Sequence, residues 1–176
     1  MSFLNQFAIK FASLTPGTYT FDFEISDKFF ENFEASEIQK ARVDVVVELE
    51  KQSRMLVLDF NVKGFVNVMC DRCLVDFDFP IESTQRLIVK YGPEKKEETD
   101  EIITIPESDH EINVAQFIYE YIHLALPPKR VHPDNEKGES LCDAEIIKKL
   151  EALKSKESEK QDSDPRWEAL KQIKFN

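Results

Sequence analysis

Apolar side chains recur at every second position over long stretches of the N-terminal half of this chain, the period of a half-buried β-strand. Tyr19, Phe21, Phe23 and Ile25 alternate with polar residues after the turn signal Pro16-Gly17, and residues 7–11 read as a short strand before it. Phe29, Phe30 and Phe33 sit at helical spacing and predict a short helix closing that strand. Val43, Val45, Val47 and Leu49 then share one face. After the polar break Lys51-Gln52-Ser53-Arg54 the alternation resumes with Leu56, Leu58, Phe60 and Val62, which predicts a hairpin. Gly64 interrupts the second strand and predicts a bulge or kink. Val75, Phe77, Phe79 and Ile81 form another alternating run and residues 86–91 a further strand, so residues 70–74 fall in a turn between strands. Residues 92–100, rich in Glu and Lys, read as a loop, followed by a short edge strand at 101–105.

The period then becomes helical. Val114, Phe117, Ile118, Tyr121, Ile122 and Ala125 form one apolar stripe, Asn113 with Gln116 has the form of a capping box, and Pro127-Pro128 stops the helix. A second helix is expected from Asp143, with Ile146, Ile147, Leu150 and Leu153 as its buried edge. Residues 154–163 have almost no apolar content and read as a flexible charged linker. Asp164-Pro165 opens a last short helix over 164–176, with Trp167, Leu170 and Ile173 on one face; so short a helix must dock on something. The expected fold is α+β: an antiparallel, twisted sheet or partly closed barrel, with C-terminal helices packed against it in one domain over 1–153.

Charge narrows the partners. Acidic residues number 34 against 23 basic, a formal net charge of −11, so bare RNA or DNA is repelled by the chain as a whole while a basic protein is attracted. No Gly-rich phosphate loop can be assembled from the four glycines, so no nucleotide-dependent mechanism is expected. No stretch approaches the roughly 20 apolar residues of a membrane span, so no membrane partner and a cytoplasmic location are expected.

Three cysteines argue against a secreted disulfide framework and leave metal binding, redox chemistry or burial. Cys70-x-x-Cys73 at a β-turn has the form of half a zinc knuckle, and Cys142 with His132 are the candidates for the other two ligands, without the usual tight spacing. The competing readings are buried thiols shaping a tight turn, and a thiol-disulfide enzyme; the latter is disfavoured because no helix N-terminus is predicted to activate a thiol. Asp71 and Arg72 between the thiols are candidates for partner contact, as are Lys129 and Arg130 after the main helix, and Arg166 and Trp167 in the tail.

The succession Val68-Met69-Cys70-Asp71-Arg72-Cys73-Leu74, then Leu124-Ala125-Leu126-Pro127, then Asp164-Pro165-Arg166-Trp167-Glu168-Ala169-Leu170 resembles the YceD family, the large ribosomal RNA subunit accumulation proteins. The resemblance runs in order over about residues 20–173. It implies a bacterial cytoplasmic, non-enzymatic factor in 23S ribosomal RNA processing or accumulation, binding precursor RNA or a basic ribosomal or assembly protein. Many family members carry further cysteines between the Pro-containing helix end and the last helix, where this chain reads Lys129-Arg130-Val131-His132-Pro133 and retains Cys142 alone. A protein without a cofactor is therefore expected first, a zinc-dependent binding module second.

Overall fold

A computed structural model describes residues 3–34, 36–134, 138 and 140–153, which fall in two compact units, Met1–His132 and Pro133–Asn176. The linker and terminal helix expected over 154–176, with Arg166 and Trp167, lie outside the described residues.

The first unit opens with a 3-10 turn, Phe3–Phe7, and a two-residue strand β1, Ala8–Ile9. Strand β2 (Gly17–Ser26) runs into the single-turn helix α1 (Asp27–Phe30). Strands β3 (Ala41–Lys51), β4 (Met55–Met69) and β5 (Asp76–Gly92) follow, then β6 (Lys96–Thr99), β7 (Ile102–Pro106) and β8 (Ile112–Asn113). Helix α2 spans Ala115–Leu124. Six strands form one sheet in the order β2-β3-β4-β5-β7-β6, antiparallel except for the parallel pair β5 and β7. β1 pairs with β8 separately, which ties the N-terminal turn to the start of α2.

The alternation seen in the sequence is the inner face of this sheet. Val43, Val45, Val47, Leu49, Leu56, Leu58, Phe60 and Val62 are all buried, with Ile118, Tyr121 and Ile122 of α2 in the same core. The Tyr121 ring meets Phe60 edge-on at 5.0 Å, fixing the helix on the sheet.

Several expectations need correction. The sheet is open: β2 and β6 stand at opposite ends of the strand order and are not paired with each other, so the hydrogen-bonded ring that a barrel requires is not closed. Gly64 makes no bulge, since β3 and β4 keep register through Val43 opposite Gly64; instead, a Cβ there would overlap the Arg42 carbonyl oxygen and lie 2.6 Å from Val43 Cα. Residues 76–92 are one strand rather than two. The polar stretch between the runs stays in the ladder because it faces polar partners on β4: Lys63 with Glu82, Asn61 with Thr84 at 3.0 Å, and Asp59 with Arg86 at 2.7 Å.

The expected loop over 92–100 contains strand β6, and the expected edge strand β7 lies inside the sheet with Ile103, Thr104 and Ile105 buried. The capping box does not form: Asn113 Oδ1 accepts from the Ala115 N–H at 2.9 Å, but Gln116 Nε2 donates to Glu120 Oε1.

In the second unit Asp143 starts helix α3 (Ala144–Leu153) as expected, its Oδ1 accepting from the N–H groups of Glu145 at 2.9 Å and Ile146 at 3.0 Å. None of the residues of α3 is buried, so the edge of Ile146, Ile147, Leu150 and Leu153 is not a core face. Among the described residues no helix is long and apolar enough to cross a membrane.

Candidate metal centre

The β4–β5 connection is closed by its own backbone. The Cys70 N–H donates to the Val75 carbonyl at 3.1 Å, and the Leu74 N–H donates back to the Cys70 carbonyl at 2.9 Å. Completing so tight a reversal puts Leu74 at φ 60°, a left-handed conformation that a branched side chain adopts at a penalty. The outcome is that Cys70 and Cys73 are both fully buried although they sit at the end of a sheet.

The segment after α2 is laid against this turn by Asp71. Its N–H donates to the Arg130 carbonyl at 2.7 Å, and its Oδ2 accepts from the Arg130 N–H at 2.6 Å. The Arg130 guanidinium also lies 3.6 Å from Asp71 Oδ1 and 3.4 Å from Glu37 Oε2. Two residues further on, the His132 ring stacks on Phe77 at 4.3 Å, and its Nδ1 lies 3.4 Å from Cys73 Sγ. The donor atoms of Cys70, Cys73 and His132 come within 4.8 Å of one another.

Donor atoms around a tetrahedral zinc are roughly 3.5–3.8 Å apart, given metal–ligand bonds of about 2.0–2.3 Å, so this group needs only a small contraction to hold the ion. Electrostatics point the same way. Burial is the largest influence on the Cys70 thiol and raises its pKa, but the N–H groups of Cys73, Arg72 and His132 and the His132 ring outweigh it and bring it down to about 6. A thiolate stabilised by converging N–H groups at the apex of a β-turn is the species a soft metal binds.

Of the residues singled out in the sequence, Cys70, Asp71, Cys73, Arg130 and His132 are brought together in the first unit. Arg72 and Lys129 are exposed in the same unit. Cys142 belongs to the second unit, where it is buried and its N–H donates to Ser140 Oγ at 3.3 Å. The three cysteines form no disulfide. Phe77, the platform for His132, and Glu37, the second partner of Arg130, were not singled out in the sequence. Phe77 carries a signal there, being an inward position of the strand that leaves the turn.

Residues 58–174 match the family described as large ribosomal RNA subunit accumulation protein YceD. The chain belongs to this family. Its match spans Cys70, Cys73 and His132, from the strand before the cysteine turn through the segment after α2. The chain is also similar to the uncharacterized protein YlbN of Bacillus subtilis (strain 168), with 27% identity over 158 residues, 84% of this chain and 88% of the relative. No solved structure matches.

Proposed function

We propose that this YceD-family chain is a non-catalytic factor in large ribosomal subunit biogenesis, acting on 23S ribosomal RNA processing or accumulation through a binding surface near the cysteine turn. Family membership over residues 58–174 carries this reading. The net charge of −11 favours a basic ribosomal or assembly protein over bare RNA as the direct partner. The Arg130 side chain, half of the best local basic run, is committed to Asp71 and Glu37, which weakens that run as a phosphate contact. Arg72 and Lys129 are the proposed contact residues at this end, with Arg166 and Trp167 of the tail as further anchors. Depletion of the protein followed by ribosomal RNA profiling tests the reading. Precursor 23S RNA should accumulate and mature 23S RNA fall; unchanged levels of both would overturn it. Pull-down with and without nuclease then separates an RNA-mediated from a protein-mediated association.

Within this reading, zinc is the proposed structural element. Cys70, Cys73 and His132 make a donor set that could hold it. On the sequence, Cys142 is the proposed fourth ligand. The lowered Cys70 pKa is also what a thiol enzyme needs, but a nucleophile must be reachable, and Cys70 is fully buried. Metal analysis of the purified full chain should find about one zinc per chain. Loss of the ion in Cys73→Ser supports the site, and a metal-poor protein whose melting is indifferent to chelator rejects it.

A further inference from the structure

Strand β2 (Gly17–Ser26) is one edge of the six-stranded sheet, and its free side follows from the ladder. Just beyond the two ends of β3, the Lys40 carbonyl accepts from the Asn67 N–H at 2.8 Å and the Gln52 N–H donates to the Met55 carbonyl at 3.0 Å, so even-numbered positions along β3 bond to β4. The odd-numbered Val43, Val45, Val47 and Leu49 then bond to their partners Ile25, Phe23, Phe21 and Tyr19. The N–H and C=O groups of Thr18, Thr20, Asp22 and Glu24 are left pointing out of the sheet, with no hydrogen-bond partner among the described residues. An uncovered edge is ordinarily blunted by shortness, a bulge, lysine or proline. The opposite edge, β6, follows that rule, with four residues, a register shift between Glu97 and Thr99, and Lys96. β2 does not: it has ten residues in unbroken register with β3, and neither lysine nor proline.

The same edge borders a groove. About 420 Å³ of space is lined by Asp22 and Glu24 from one face of β2, by Phe23 from the other, and by Phe3 and Phe7 of the 3-10 turn. A groove lined by consecutive residues of one strand lies along its edge, where an added strand would run. The side chains say what that strand carries. Asp22 and Glu24 are exposed and have no ion pair among the described residues, and Glu24 stands opposite Asp44 on β3, a like-charge pair. Basic residues set against them would relieve that repulsion. On the inner face Tyr19, Phe21 and Phe23 are only half-buried and Phe3 is 37% exposed, so apolar residues opposite them would carry the core over the edge. A second copy of this strand fits badly: pairing two β2 strands antiparallel about Phe23 sets Asp22 of one against Glu24 of the other, twice. Nucleic acid would be repelled by the same carboxylates and has no peptide backbone to continue the ladder.

We propose that β2 is extended by a strand from a protein partner, a segment in which basic and apolar residues alternate, its backbone bonded to Thr20, Asp22 and Glu24 and its basic side chains facing Asp22 and Glu24. The inference stands on the sheet edge alone and goes beyond the ribosomal reading. Its readout is binding in vitro, so it can fail while the 23S phenotype holds, and the reverse.

The test is amide hydrogen exchange of the full ¹⁵N-labelled chain, alone and with a short acetylated, amidated peptide in which lysines alternate with valines. The controls are the same peptide N-methylated on its lysine backbone nitrogens, a glutamate-for-lysine counterpart and an oligouridine RNA. In the free chain the amides of Thr20, Asp22 and Glu24 should exchange at least about tenfold faster than those of Phe21 and Phe23, which are bonded to β3. The lysine peptide should slow those three amides saturably below about 1 mM. Backbone methylation should weaken it at least about tenfold, as expected for the loss of several hydrogen bonds, and the glutamate peptide should bind as weakly. Thr20→Pro removes an outward N–H and no bond to β3, so it should weaken the peptide about tenfold while the protein stays folded. Glu24→Gln should weaken it about threefold with unchanged melting, as expected for a solvent-facing pair. Protection of Thr20, Asp22 and Glu24 in the free chain would overturn the proposal, assigning the edge to a second copy if it rises with protein concentration and to another segment of this chain if it does not. No protection by the lysine peptide, equal binding of either altered peptide, RNA slowing the same amides, or affinity unmoved in Glu24→Gln or in folded Thr20→Pro would each overturn it as well.

Discussion

Asp71 and Arg130 exchange two backbone-directed hydrogen bonds, N–H to carbonyl at 2.7 Å and Oδ2 to N–H at 2.6 Å, across 59 positions of sequence. This pairing lays the chain against the cysteine turn two residues before His132, and with the stack on Phe77 it places the ring beside Cys73. Asp71→Ala should lower zinc affinity about tenfold, the range found when a residue orienting a ligand is removed. Competition against a chromophoric chelator measures it. Core melting of the metal-free protein should change little, because Asp71 is exposed.

The Cys70 thiol offers a pH test with a definite sign. Its pKa falls from an ordinary value of 9.0 to about 6 on folding. Below pH about 6 both states hold the proton and Cys70 contributes nothing to stability. Between about 6 and 9 only the unfolded chain holds it, so the metal-free protein should gain stability as pH rises, with the full contribution present above that window. Thiolate absorbance near 240 nm should show one group ionising near pH 6, and Cys70→Ser should remove both that step and the matching rise in urea midpoint.

Leu74 holds the turn in a left-handed conformation at φ 60° with its side chain 67% exposed, so it pays backbone strain for little burial. Leu74→Gly should raise the urea midpoint, by up to about 1 kcal/mol of stability, because the relief of strain is partly offset by a freer unfolded chain. Leu74→Ala retains a Cβ and should give no gain.

Gly64 makes the opposite prediction. A methyl group there meets the Arg42 backbone of the neighbouring strand, and backbone in the middle of a sheet cannot yield cheaply. Gly64→Ala should destabilise the protein by about 2–3 kcal/mol, read as a lower urea midpoint with an unchanged slope.

The strands of the hairpins were legible because one face of each is buried, and burial imposes a period of two that composition cannot hide. Strand β6 was not, since all four of its residues are exposed and its identity comes from pairing with β7. The continuity of β5 was hidden for a related reason: Ser83 and Gln85 face inward among apolar neighbours, and only their partners on β4 reveal the ladder. At the cysteine turn the chain itself announces the Cys-x-x-Cys pair and names His132 as a candidate. What it withholds is the Asp71–Arg130 tie, a contact between two backbone segments that leaves no periodic trace.

Bringing His132 to Cys73 closes a loop of 59 residues that contains β5, β6, β7, β8 and α2. The hairpins β2–β3, β3–β4 and β4–β5 join near neighbours and can form early, whereas this closure carries an entropic charge of about 4 kcal/mol before any contact repays it. Sequence separation therefore predicts that the cysteine turn forms before its histidine arrives. A metal ion captured there would act as a latch on a finished fold, so that its retention reports whether everything between the two ends of the loop has been assembled.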